Sequence, residues 1–262
     1  MNRVAVVTGA ARGIGRGIAL VLGEAGATVY VTDRESREHK HSALPGTVED
    51  TAEVVDRRGG KGVPLVVDHT DDDAVADLFE RVRAEHGGLD LLVGNAFDGN
   101  ALPFRGGPFW DLPLEHWRNM MESGVRAHLV AARFAAPLLI ARGAGLIVLT
   151  GYTAPDEEVI AGNLYYDLAM SATSRLVRSL AYDLRPHGVS ALAISPGFTR
   201  TEAIRAEIDE FPPGTDSVEF PGRAVRALFD DPEVARHAGR TIPVAELADQ
   251  YGFTDLPPDA DP

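Results

Sequence analysis

The sequence predicts an α/β fold: one doubly wound parallel sheet of about seven strands flanked by helices, in a single domain. Three observations carry that expectation. Short continuous apolar runs alternate with longer stretches of helical periodicity. The first run passes through a glycine-rich turn directly into the first helical stretch. No internal repeat, low-complexity linker or composition break divides the 262 residues, a length that suits one large α/β domain.

Each element follows in order. The run RVAVVTG is apolar throughout and ended by glycine, as expected for a strand buried on both faces. GIGRGIALVLGEAGA then takes helical spacing with a glycine stop. TVYVTDR is the second strand, residues 34–46 are polar and irregular, and TVEDTAEVVDRRGG returns to helix. GVPLVVDHT is the third strand, and DDDAVADLFERVRAEHGG a helix with acidic residues first and basic residues late, matching the helix dipole. LDLLVGN is the fourth strand. One long helix is expected over Leu114–Gly143, then the fifth strand GLIVLTG, a second long helix from Leu164 to Gly188 and the strand VSALAISPG. A variable loop, the helix GRAVRALFD and a last strand RTIPVA complete the domain, expected to span residues 1–254. The residues from 255 to 262, DLPPDADP, are expected to be a disordered tail.

With 45% hydrophobic and 24% charged residues, the chain can bury a full core and stay soluble. No apolar run reads as long enough to span a bilayer, and the first residues read as a strand without a signal segment, so a cytoplasmic protein with no membrane partner is expected. A net charge of -14 disfavours nucleic acid, whose phosphates it would repel. The absence of Cys excludes disulfides, thiol catalysis and Cys-ligated metal, and no metal site is expected. Of 25 basic residues only Lys40 and Lys61 are lysines.

The turn TGAARGIG, Thr8 to Gly15, lies between the first strand and first helix of a βαβ unit. Gly9, Gly13 and Gly15 permit a sharp turn and close backbone approach to a pyrophosphate, whose charge the helix N-terminus favours. Asp33 ends the second strand, where a carboxylate can accept hydrogen bonds from ribose hydroxyls and repel a 2′-phosphate. Arg34 follows it and could hold that phosphate instead. The balance leans to NAD, with NADP the alternative.

With GNA after the fourth strand, Tyr166 on the helix after the fifth and PGFTRT after the sixth, the chain resembles the short-chain dehydrogenase/reductase family over about residues 3–250. The phrases DLRPHGVS and LADQYGFTD resemble the branch of the first member of the human dehydrogenase/reductase series. The resemblance implies a Rossmann fold, a small-molecule substrate, a homodimer or homotetramer and a substrate lid over about 202–222. It implies that Thr8, Gly9, Arg12, Gly13, Ile14 and Gly15 hold the cofactor phosphates and ribose. By the same resemblance Asp68 contacts adenine, Asn95 and Ala96 line the ribose side, and Pro196, Gly197, Thr199 and Thr201 embrace the nicotinamide and pyrophosphate.

The family's catalytic residues are Tyr, Lys, Ser and Asn, and here only the Tyr is kept, as Tyr166. Met170 stands in the place of Lys, Gly151 and Tyr152 in that of the Ser pair, and Gly124 in that of Asn. Thr153 is the nearest hydroxyl of similar size. Gly94 and Phe97 also depart from the family's Asn-rich turn. A free Tyr has a pKa near 10, and without an ammonium beside it oxidation suffers more than reduction, in which the neutral phenol donates. Asp156, Glu157 and Glu158, in the loop before the Tyr helix, are candidate replacement acids or bases, against the plainer reading of a solvated loop. His128 falls one turn after Gly124 on the same helix face, where a satisfied core histidine is the simpler reading. Met120, Met121 and Phe97 read as core or pocket wall. The expected function is NAD(P)-dependent carbonyl reduction. The alternatives are non-redox chemistry such as dehydration, cyclisation or isomerisation, and a catalytically silent nucleotide-binding protein.

Overall fold

The structure is a computed structural model, and it describes residues 3–98, 107–153, 159 and 163–256. A seven-stranded parallel sheet has the order β3-β2-β1-β4-β5-β6-β7, with β1 at Val4–Thr8, β2 at Thr28–Asp33, β3 at Lys61–Val66 and β4 at Leu91–Gly94. β5 spans Gly145–Thr150, β6 Val189–Ser195 and β7 Thr241–Pro243. The strand order turns back between β1 and β4, so a crevice opens beyond their carboxyl ends, next to Gly9 and Asn95.

Successive side chains of β1 explain why its apolar run is unbroken. Ala5 and Val7 join one core, with α1 (Gly13–Glu24) and α2 (Val48–Arg57). Val4 and Val6 join the other, with α3 (Asp72–His86), α4 (Ala127–Ala141) and α5 (Leu164–Leu184). Both faces are therefore dry. β3 is an edge strand, which is why it tolerates Pro64 and leaves half of its positions exposed. Side-chain caps start several helices: Thr47 accepts from the Asp50 amide, Asp71 from those of Asp73 and Ala74, and Asn163 from that of Tyr166.

Three helical elements and the tail differ from the sequence reading, while the expected helix GRAVRALFD is present. The long helix before β5 has two parts, because Arg118–Arg126 takes the wider π-helical geometry before α4 begins. Together they run from Arg118 to Ala141, 24 residues that are long and apolar enough to cross a bilayer by length and composition, correcting the expectation that no run is. Half of the apolar window is buried inside the fold, as in the core helix of a globular domain. A short helix, α6 (Glu202–Glu207), opens the region read as a lid, α7 (Phe220–Asp230) follows it, and α8 (Val244–Tyr251) continues where only a strand was expected. Asp255, placed by the sequence in the disordered tail, accepts the Ser217 amide proton at 2.7 Å; residues 257–262 of that tail lie outside the described residues.

Candidate active site

Two adjoining cavities lie at the crevice. The first, about 480 Å³, is lined by Gly9, Arg12, Gly13, Ile14, Asp33, Arg34, Asp68, Asn95, Ala96 and Thr201, ten of the residues expected to hold a cofactor. The second, about 430 Å³, shares Ile14, Asn95 and Phe97 with the first and contains Tyr166, Pro196 and Gly197.

The glycine cradle is tight. Gly9 has φ +66°, and a Cβ there would stand 2.8 Å from the Ala96 Cα; one on Gly15 would stand 2.2 Å from the Gly9 carbonyl oxygen. Thr8 lines neither cavity. It is buried, and its hydroxyl accepts from the Asn95 and Ala96 amides at 2.9 Å each, fastening the end of β1 to the turn after β4. Gly15 and Thr199 also line neither cavity. The Thr199 hydroxyl donates to the Gly197 carbonyl at 3.0 Å, and Thr201 caps α6 by accepting from the Ile204 amide. At the mouth of the cradle the Gly13 amide donates to Glu202 Oε2 at 2.7 Å. The carboxylate stands where a helix N-terminus attracts an anion, so these residues fit a phosphate group.

The charged residues on the adenosine side are paired. Asp33 accepts from the amides of Ala11 and Glu35 at 3.2 Å each, and burial raises its pKa against the lowering effect of those bonds. Arg34 pairs with Asp98 at 2.6 Å. Arg12 reaches Glu35 at 3.4 Å and donates to the Pro45 carbonyl at 2.9 Å. Asp68 accepts from both the amide and hydroxyl of Thr70; burial pushes its pKa up, but these bonds leave it below the ordinary value.

In the second cavity the described lining residues include no Lys, Arg, Asp or Glu. Met170, one turn beyond Tyr166, is buried and packs with Met120, Ala169 and Tyr165. Burial raises the Tyr166 pKa, and the neighbouring Tyr152 phenol raises it further. Phe97 meets Tyr166 edge-on, with ring centroids 6.1 Å apart. A Cβ on Gly124 would stand 3.1 Å from the Phe97 ring, so these two departures from the family pattern fit each other in space. Gly94 and His128 form a second such pair, with the His128 Nδ1 3.1 Å from where a Gly94 Cβ would be. Thr153 is not among the described lining residues of the cavity, and its amide donates to Ser195 Oγ at 3.0 Å. Thr150, which sequence reasoning passed over, does line it. Asp156, Glu157 and Glu158 lie outside the described residues. Glu202 and Asp98 were also missed; each acts across a long sequence separation, and only the position of Glu202 directly after PGFTRT gave a local signal.

A family model described as enoyl-(acyl carrier protein) reductase matches residues 9–237. The chain belongs to the short-chain dehydrogenase/reductase family. It is similar to dehydrogenase/reductase SDR family member 1 of Mus musculus, 36% identical over 97% of this chain and 83% of the relative. It also resembles cis-4-hydroxycyclohexanecarboxylate dehydrogenase of Sinomonas cyclohexanicum, 32% identical over 78% of this chain and 76% of that one. A solved structure from Xanthomonas campestris superposes with a TM-score of 0.84 at 27% identity, covering 97% of this chain and 91% of its own. The family is one of oxidoreductases that generally use NAD(P).

Proposed function

We propose that the chain is an NAD-dependent reductase of small, uncharged carbonyl compounds, with Tyr166 as the proton donor. The observation that carries this reading is the position of Tyr166 in a cavity that adjoins the cradle and whose described lining residues include no Lys, Arg, Asp or Glu. NADH, when bound, supplies a hydride to the carbonyl carbon. The phenol gives its proton to the carbonyl oxygen, so an aldehyde or ketone leaves as an alcohol, and the phenolate regains a proton from solvent. Burial beside Tyr152 keeps the phenol neutral and ready for this direction. The reverse direction needs a phenolate first, and Met170 supplies no positive charge to stabilise one.

NAD is favoured over NADP by pairing. A 2′-phosphate would meet the Asp33 carboxylate, and the nearby cations Arg34 and Arg12 are already committed to Asp98 and Glu35. The apolar walls supplied by Phe97, Met120, Met170 and Phe198 suit a ring-sized substrate, in keeping with the alicyclic compound named for the Sinomonas relative. Assembly as a homodimer or homotetramer through α4 and α5 is supported by their exposed Leu129, Leu164, Leu168 and Tyr182.

Single-turnover oxidation of NADH by a panel of uncharged alicyclic and aromatic ketones tests the reading. Wild type is expected to consume NADH, and Tyr166→Phe to lose about 100-fold or more in rate. Dinucleotide binding without consumption across the panel would refute it. The loss of the family Lys at Met170 would then point to non-redox chemistry in the same cavity.

A further inference from the structure

The polar groups of the second cavity can be accounted for one by one. The Asn95 amide donates to the Thr8 and Gly9 carbonyls at 3.2 and 3.1 Å. The Thr150 hydroxyl donates to the Gly94 carbonyl at 3.4 Å, and that of Thr173 to the Ala169 carbonyl at 2.9 Å. Tyr166 and Tyr152 contribute phenols. His128, on the first turn of α4, is buried with 4% exposure, lines the cavity and makes no side-chain hydrogen bond to any described residue. His69 and His116 are also buried with an unpaired ring nitrogen, but neither lines this cavity, and His128 does.

The ring reaches that position because of an absence. Gly94 ends β4 where the family pattern has Asn, and any Cβ there would crowd the His128 Nδ1 at 3.1 Å. Glycine at 94 and histidine at 128 are thus one arrangement. No carboxylate among the described lining residues could hold an imidazolium, and burial brings the His128 pKa down to about 4, with His69 as a further lowering neighbour. The ring is therefore neutral at working pH, with one nitrogen a donor and the other an acceptor.

The geometry points to His128 as the group that hydrogen-bonds the substrate oxygen, from the lining of the cavity that holds Tyr166, and so selects uncharged carbonyl compounds. This rests on the reductase reading of the same cavity and names its substrate-orienting residue. A neutral N–H directed at the carbonyl oxygen would hold it within reach of the Tyr166 phenol. A substrate with a charge at that point would be excluded, because nothing else in the described lining could balance it.

The test uses protein labelled with 15N-histidine, NADH-loaded and titrated with acetophenone and cyclohexanone as uncharged probes, with benzoate as the charged control. The expected result is that the ketones shift the His128 ring nitrogens and benzoate does not. His128→Phe should weaken ketone binding by at least tenfold while leaving the affinity for NADH unchanged, and His128→Gln should recover part of the loss. Unmoved His128 signals at ketone saturation would overturn the inference, as would no ketone binding to wild type or equal ketone affinity in the two variants. If a variant fails to fold, the ring shifts in wild type decide alone. Ketone binding that moves His128 without NADH consumption would leave this assignment standing and refute the reductase reading, so the two failures are distinguishable.

Discussion

In the proposed dinucleotide site, Glu202 should set the affinity by one side chain. Its carboxylate accepts the Gly13 amide proton at 2.7 Å, at the mouth of the cradle where a pyrophosphate would approach. For the anion to settle, that bond must open and a negative charge must move away. A hydrogen bond to a charged group contributes about 1.5–3 kcal/mol, and about 1.4 kcal/mol corresponds to a tenfold change in Kd. Glu202→Ala, which removes both bond and charge, should therefore tighten NAD binding by about ten- to hundredfold. Glu202→Gln keeps a neutral acceptor whose bond contributes only about 0.5–1.5 kcal/mol, so its gain should be smaller, about tenfold or less. Calorimetric titration of wild type and both variants with NAD gives the order directly. Affinity unchanged within about twofold in both variants, or weaker binding in either, would refute the reasoning, because the carboxylate would then not compete for the cradle.

Three further outcomes follow from the same geometry. Asp98→Ala frees the Arg34 guanidinium from its 2.6 Å ion pair, and NADP affinity should rise about tenfold with NAD little changed, as read by paired titrations. Gly94→Ala would place a Cβ 2.6 Å from Leu149 Cδ2 and 3.1 Å from His128 Nδ1, and should destabilise the fold by about 1–3 kcal/mol in urea melts with the m-value unchanged. Met170→Lys puts an ammonium one turn from Tyr166; it should lower the phenol pKa and raise alcohol oxidation near neutral pH, seen in ultraviolet titration and in NAD reduction.

Much of the scaffold was legible because its signals are local. The unbroken apolar runs of β1, β2 and β4 announce strands covered on both faces, and the cradle is a short glycine pattern at a strand-to-helix turn. The π-helical geometry of Arg118–Arg126 was not legible, since its composition continues smoothly into α4. Neither was α8, because VAELADQY follows β7 directly, without the turn residues that separate other elements. The losses at positions 94, 97, 124 and 170 were visible as departures from a pattern. That Phe97 fills the space over Gly124, and His128 the space beside Gly94, is a matter of packing between elements distant in sequence. The ties of Glu202 to Gly13 and of Asp98 to Arg34 span 189 and 64 positions, beyond the reach of any local reading.

The central claim of the proposed function is that a neutral Tyr166 phenol donates the proton in a cavity whose described lining residues include no Lys or Arg. Its most direct measurement is the pH dependence of single-turnover ketone reduction at saturating NADH. Burial and the neighbouring Tyr152 raise the phenol pKa above the ordinary tyrosine value, so its donating form should persist through neutral and mildly alkaline pH. The account predicts a rate that is flat through neutral and mildly alkaline pH and falls only where the raised phenol pKa is reached. A rate that already declines as pH rises through neutrality, in step with ionisation of Tyr166, would contradict it.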